Sequence, residues 1–185
     1  MFARLGYELP PALIPRTVRY YLERTSHGST LSRVVHAWVA ARTDRAGSWA
    51  LLTEALEADL ADTQGGTTRE GVHLGAMAGT ADMVMRCYGG VETRDNALWL
   101  HPALPDELNS ASFELSYRGQ PVTIDVTSRR MHIRLHSGSA APIRVCAEGM
   151  TRTLGPGQVW EVALGPRSPA RKDHRRMPSS GYGQP

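Results

Sequence analysis

The sequence predicts an α+β chain: helices first, then a small antiparallel β-sheet or sandwich, then a tail outside any core. Three observations carry this. Apolar residues recur with the helical period up to about Tyr88, they alternate with polar residues from Phe113 onward, and the stretch after Gly165 is built from Pro, Ser, Gly and Arg.

A short segment from Pro15 to Arg24 comes first. The next helix is expected from Leu31 to about Arg42, because Leu31, Val34, Val35, Trp38 and Val39 fall at i, i+3, i+4, i+7 and i+8. Ala46 to Leu60 follows, with Trp49, Leu52, Leu56 and Leu60 along one stripe. Asp62 to Gly71 is rich in turn formers and reads as a loop. A further helix is expected from Val72 to about Cys87, and it holds Gly75 and Gly79 beside Ala76 and Ala78. A glycine inside a helix costs about 1 kcal/mol against alanine, so these two imply close packing against a neighbouring helix or around a ligand. Gly89-Gly90 ends the helix with residues that tolerate positive φ.

The period then changes. Phe113, Leu115 and Tyr117 form one alternating run; Val122, Ile124 and Val126 a second; Met131, Ile133 and Leu135 a third. Arg118-Gly119-Gln120-Pro121 reads as the turn between the first two. Ile143 with Val145, and later Val159 with its neighbours, supply further strands. Such short alternating strands make a sheet with one wet face. The join between the halves is placed near Glu92 to Pro105, and there are no internal repeats. Three amphipathic helices are few for an independent helical domain, since each apolar stripe needs a partner. The chain therefore reads as the end of something larger, with the stripes and the faces of Trp38 and Trp49 partly uncovered.

Composition narrows the function. Hydrophobic content of 41% and charged content of 21% fit a globular protein. No apolar run is long enough to span a membrane and no signal peptide opens the chain, so a cytoplasmic protein is expected. Cys87 and Cys146 are far apart with no metal-type spacing, which predicts free thiols, a reducing compartment and no metal. The net charge of +3 belongs to the tail: Arg167, Arg171, Lys172, Arg175 and Arg176 face Asp173 alone, so residues 1–165 net to −1. The tail is expected to be disordered, and without a folded basic face no nucleic-acid partner is predicted.

One loop stands out chemically. His27-Gly28-Ser29-Thr30-Leu31-Ser32 sets an imidazole, a glycine and hydroxyls at the start of a helix. A helix start has unpaired N–H groups and the positive end of the macrodipole, so it can hold an anion, phosphate above all. The same residues also suit an ordinary N-cap by Ser29 or Thr30. The loop by itself leaves both readings open.

Four stretches carry a resemblance to a known family. They are Tyr20 to Ser32, Gly71 to Thr80, Leu98 to Pro105 and Leu115 to Gly119. In this order and spacing the chain resembles glycoside hydrolase family 65, the inverting phosphorylases of trehalose, maltose and kojibiose with related hydrolases, over roughly residues 10–165. The resemblance implies that residues 1–91 are the last helices of an incomplete α/α toroid and residues 92–165 a C-terminal β-sandwich, with residues 166–185 a tail that matches nothing. It implies a chemistry in which inorganic phosphate attacks the anomeric carbon while a carboxylic acid protonates the leaving oxygen. No cofactor is implied beyond phosphate as co-substrate.

The resemblance turns His27, Gly28, Ser29 and Thr30 towards phosphate binding and adds His73 as a second donor; the bland alternative for His73 is a core histidine at a helix start. The family's general-acid glutamate lies upstream of the His27 loop, and neither Glu23 nor Glu70 sits in its motif, so no catalytic residue is assigned. The chain is then expected to be inactive alone, its implied partners being a chain carrying the rest of the toroid or a second copy, with a disaccharide and phosphate as ligands. A non-catalytic remnant or carbohydrate-binding module is the alternative.

Overall fold

The structure is a computed structural model, described here for residues 10, 12–26, 28–62, 69 and 71–165. His27, most of the Asp62–Gly71 loop and the 166–185 tail lie outside the described residues. Four helices come first, α1 (Leu13–Leu22), α2 (Thr30–Ala40), α3 (Arg45–Glu57) and α4 (Leu74–Asp82), which runs on into a π-helical turn over Met83–Tyr88; α2, α3 and α4 pack on one another as a layer. Eight strands follow: β1 (Val91–Arg94), β2 (Ala97–Leu100), β3 (Ser110–Tyr117), β4 (Gln120–Thr127), β5 (Arg130–Leu135), β6 (Ile143–Ala147), β7 (Met150–Leu154) and β8 (Val159–Ala163). They make two four-stranded sheets, ordered β1-β2-β6-β7 and β3-β4-β5-β8.

The expected alternation is realised in the core. Val122, Ile124, Val126, Met131, Ile133 and Leu135 are buried, and Trp160 of β8 pairs with Ile133 across the sheet. The sheets are not wholly antiparallel, because β2 and β6 run parallel, from Leu98↔Val145 to Leu100↔Ala147. The stretch expected to be the join carries β1 and β2. Their hairpin turns on Asp95 and Asn96, both at positive φ (49° and 61°), which matches the twist of the strands. The turn after β3 is likewise only Arg118-Gly119, and Gln120 and Pro121 already belong to β4. β7 was hidden by its polar, exposed residues at a sheet edge.

Helix packing explains one of the two helix glycines. A Cβ on Gly79 would lie 2.7 Å from Val34 Cγ1 of α2, so α2 and α4 touch backbone to side chain there. Nothing lies within 4 Å of a Cβ at Gly75, and nothing in the structure explains that glycine. Ser48 of α3 ties the layer together. Its Oγ donates to the Ala37 carbonyl (2.7 Å) and lies 2.9 Å from the Tyr88 hydroxyl. A hydroxyl has one proton, so Tyr88 O–H donates to Ser48. Burial raises the Tyr88 pKa above its ordinary value, keeping that proton in place.

The helix layer joins the sandwich through short contacts. Ala103 N–H donates to the Tyr88 carbonyl (2.7 Å), His101 N–H to Gly90 (3.0 Å), and Arg45 Nη1 to the Ala103 carbonyl (2.5 Å). The buried apolar residues form one cluster running from Val34 through Tyr88 to Trp160. The far side of the helix layer is different. α1 buries none of its residues, Leu31, Val35 and Leu56 are exposed, Leu60 is 88% exposed and Leu74 78%, and Trp38 and Trp49 are only partly buried.

Candidate functional site

Antiparallel packing decides which helix ends meet. The Arg33–Glu54 bond (3.1 Å) joins the start of α2 to the end of α3, and Ser48–Ala37 joins the start of α3 to the far part of α2. Asp59, just past α3, holds His73 at the start of α4. The starts of α2 and α4 therefore share one end of the layer. Val34 is four residues into α2 and its contact Gly79 five residues into α4, so at 1.5 Å per residue the two helices begin within about a turn of each other in height.

At the α2 start, Ser29 is extended (φ −136°, ψ 140°) and its Oγ accepts from Leu31 N–H at 3.3 Å. Ser29 is thus an N-cap. A hydroxyl accepts and donates independently, so the cap leaves the Ser29 O–H available to a ligand. Ser29 and Gly28 are exposed and a Cβ on Gly28 would meet nothing within 4 Å, whereas Thr30 is only 4% exposed. Arg33, one turn on, keeps its Nη1 buried with no hydrogen-bond partner among the described residues.

At the α4 start, Asp59 grips His73 twice. Its Oδ2 accepts from the His73 backbone N–H (3.0 Å) and its Oδ1 lies 2.5 Å from Nδ1. A carboxylate only accepts, so Nδ1 carries the proton and Nε2 is the nitrogen left for other work. The bond to the His73 ring, chiefly, holds the Asp59 carboxyl below its ordinary pKa, against an opposing desolvation, with the backbone bond and the ring's charge adding to the lowering. Gly71, at φ +122°, takes the chain into this segment. Sequence reasoning missed Asp59. The one local signal is that Glu57 and Asp59 crowd the end of α3, where the macrodipole disfavours carboxylates.

Of the five predicted site residues, Gly28, Ser29, Thr30 and His73 lie at this one end of the layer; His27 lies outside the described residues. Among the described residues no group of three His, Cys, Asp or Glu is placed to hold a metal ion, and no helix is long and apolar enough to cross a membrane.

Comparison with known proteins decides the family. The glycosyl hydrolase family 65 central catalytic domain matches residues 1–82, and the family 65 C-terminal domain matches residues 91–154. The chain belongs to glycoside hydrolase family 65. It is 46% identical over 162 residues to an uncharacterised glycosyl hydrolase of Mycobacterium tuberculosis (strain ATCC 25618 / H37Rv), covering 88% of this chain and 12% of that protein. A trehalose 6-phosphate phosphorylase of Lactococcus lactis is 37% identical over 122 residues, covering 65% of this chain and 16% of the relative. A kojibiose phosphorylase of Escherichia coli K12 is 30% identical over 162 residues, covering 84% and 21%. A solved structure described as a kojibiose phosphorylase from the human microbiome superposes with a TM-score of 0.73 at 20% identity, over 91% of this chain and 24% of that one. This family 65 chain thus spans about an eighth to a fifth of the length of these curated relatives. It is a disaccharide-phosphorylase-like segment whose helices precede a C-terminal sandwich.

Proposed function

We propose that these 185 residues supply the phosphate side of an inverting phosphorolysis site acting on an α-glucosyl disaccharide, and not its general acid. The observation that carries this is the common end shared by the α2 and α4 starts, with Asp59 holding His73 there. Phosphate is ionised at neutral pH, so it needs donors more than a base. The donors at this end are the Ser29 hydroxyl, the α2 N–H groups with their dipole, and His73 through Nε2. For the ring to donate through Nε2 while Asp59 holds Nδ1–H, both nitrogens must carry protons. His27 and Thr30 complete the set in this reading.

Phosphate is then the co-substrate, with no other cofactor. Residues 1–91 act as part of the helical catalytic domain and residues 92–165 as the sandwich that buttresses it. The exposed faces of α1, α2 and α3 fit burial against further helices of the same domain type, on another chain or a second copy. Two free thiols, Cys87 and Cys146, suit a cytoplasmic setting.

Phosphorolysis of trehalose and kojibiose, measured for the chain alone and with a chain carrying the upstream helices, tests the reading. Turnover is expected only in the pair, and Ser29→Ala with His73→Ala should raise the KM for phosphate far more than that for the disaccharide. Turnover by the chain alone, or an unchanged phosphate dependence, overturns it.

A further inference from the structure

The opposite end of the helix layer holds a second charged feature. A cleft of about 320 Å³ opens where the end of α2, the start of α3, the π-helical turn and β1 meet. That volume lies at the small end of the range for organic-ligand sites. Arg42, Arg45 and Arg86 line it, with Glu92 as the single carboxylate of the lining. Residues 1–165 net to −1, so three guanidiniums here are a local concentration and not a sample of the surface.

Each arginine is placed differently. Arg45 is fixed by its bond to the Ala103 carbonyl. Arg86 lies over the Trp38 ring, 5.2 Å from its centroid, and meets Asp82 only at 3.8 Å with its own side chain 56% exposed. Such an exposed pair is weak and leaves most of the guanidinium's donors unused. Arg42 is exposed, and its side chain makes no hydrogen bond or ion pair among the described residues. All three are close enough to Cys87 to favour its thiolate, although burial and Asp82 hold the thiol above its ordinary pKa. The rest of the lining, Trp38, Ala41 and Val91, is apolar.

We propose that this cleft is a second anion site, which takes an organic phosphomonoester with its phosphate on Arg42 and Arg86 and its organic body against Trp38 and Val91. Guanidinium forks match phosphate oxygens two at a time, which suits a doubly charged monoester. The apolar lining, idle for inorganic phosphate, is what selects an organic ester. The site is independent of the helix-start site: it lies at the other end of α2, about 15 Å away along an eleven-residue helix.

Calorimetric titration of the full chain with phenyl phosphate tests this, with inorganic phosphate run beside it. Saturable binding is expected, tighter for phenyl phosphate, and weakened at least about tenfold in Arg42→Gln/Arg86→Gln. The charge-matched sandwich variant Arg144→Gln/Arg152→Gln should stay within about twofold of the parent. No saturation, equal affinity for the two phosphates, or equal loss in the charge-matched variant each overturns the proposal. Should Arg86→Gln perturb folding, Arg42→Gln alone and the Trp38 indole N–H resonance of the unaltered chain carry the test. That resonance should move on titration, and a stationary one overturns the proposal.

Discussion

Asp59 shows what one carboxylate does at the residue scale. It accepts from both the backbone and the ring of His73, so it starts α4 and sets the tautomer of the imidazole together. Its pKa is lowered in the fold, so its contribution to stability is present at neutral pH and is lost as pH falls through the carboxylate range, where an unfolded aspartate titrates at about 3.9. Asp59→Asn should therefore lower the denaturation midpoint at pH 7, and the difference should shrink as pH falls through the carboxylate range. Urea titrations from pH 7 downward check this; a constant difference across the range would contradict it. A role in phosphate binding would appear separately, as a raised KM for phosphate in the paired-chain assay. Asp59 was illegible in the sequence because its partner lies 14 residues away across a loop, and no spacing rule connects the end of one helix to the start of the next.

At the scale of elements, α4 separates intrinsic propensity from packing. Gly75 and Gly79 look alike in sequence, each about 1 kcal/mol worse than alanine in a helix. Gly75→Ala meets open space and should stabilise by up to about 1 kcal/mol. Gly79→Ala drives a Cβ into buried Val34, and overpacking of about 1–3 kcal/mol should outweigh the same gain. Opposite signs in a thermal or urea unfolding series are expected. Tyr88→Phe removes a donor to Ser48 while leaving the Ser48–Ala37 bond, and should cost about 1 kcal/mol. A neutral Tyr88→Phe would mean that the Tyr88 hydroxyl does not tie the π-helical turn to α3. The strands were legible where alternation was strong, as in β4 and β5. β1, β2 and β7 were not, since two of them are mostly exposed and the turn residues Asp95-Asn96 were not recognised as a hairpin.

Over the whole molecule, burial is lopsided. The sandwich and the inner side of the helix layer share one core, while α1 buries nothing and large apolar residues on α2 and α3 face outward. The purified chain should bind a hydrophobic dye or self-associate. Val35→Ser/Leu56→Ser should reduce either effect while shifting stability by no more than about 0.5 kcal/mol per site, because both side chains are already exposed. A monomer without dye binding would show that these faces need no partner.

That helices precede strands, where the chain turns from one to the other, and the family are legible in the chain alone, because hydrophobic period and short motifs are local properties. That the starts of α2 and α4 share one end, that Asp59 holds His73 there, and that three arginines gather at the other end follow from how the elements pack. Each depends on α3 running antiparallel to α2 and on α4 lying against Val34. Those are contacts between residues far apart in the chain, and packing of whole faces, not any single stretch of residues, selects them.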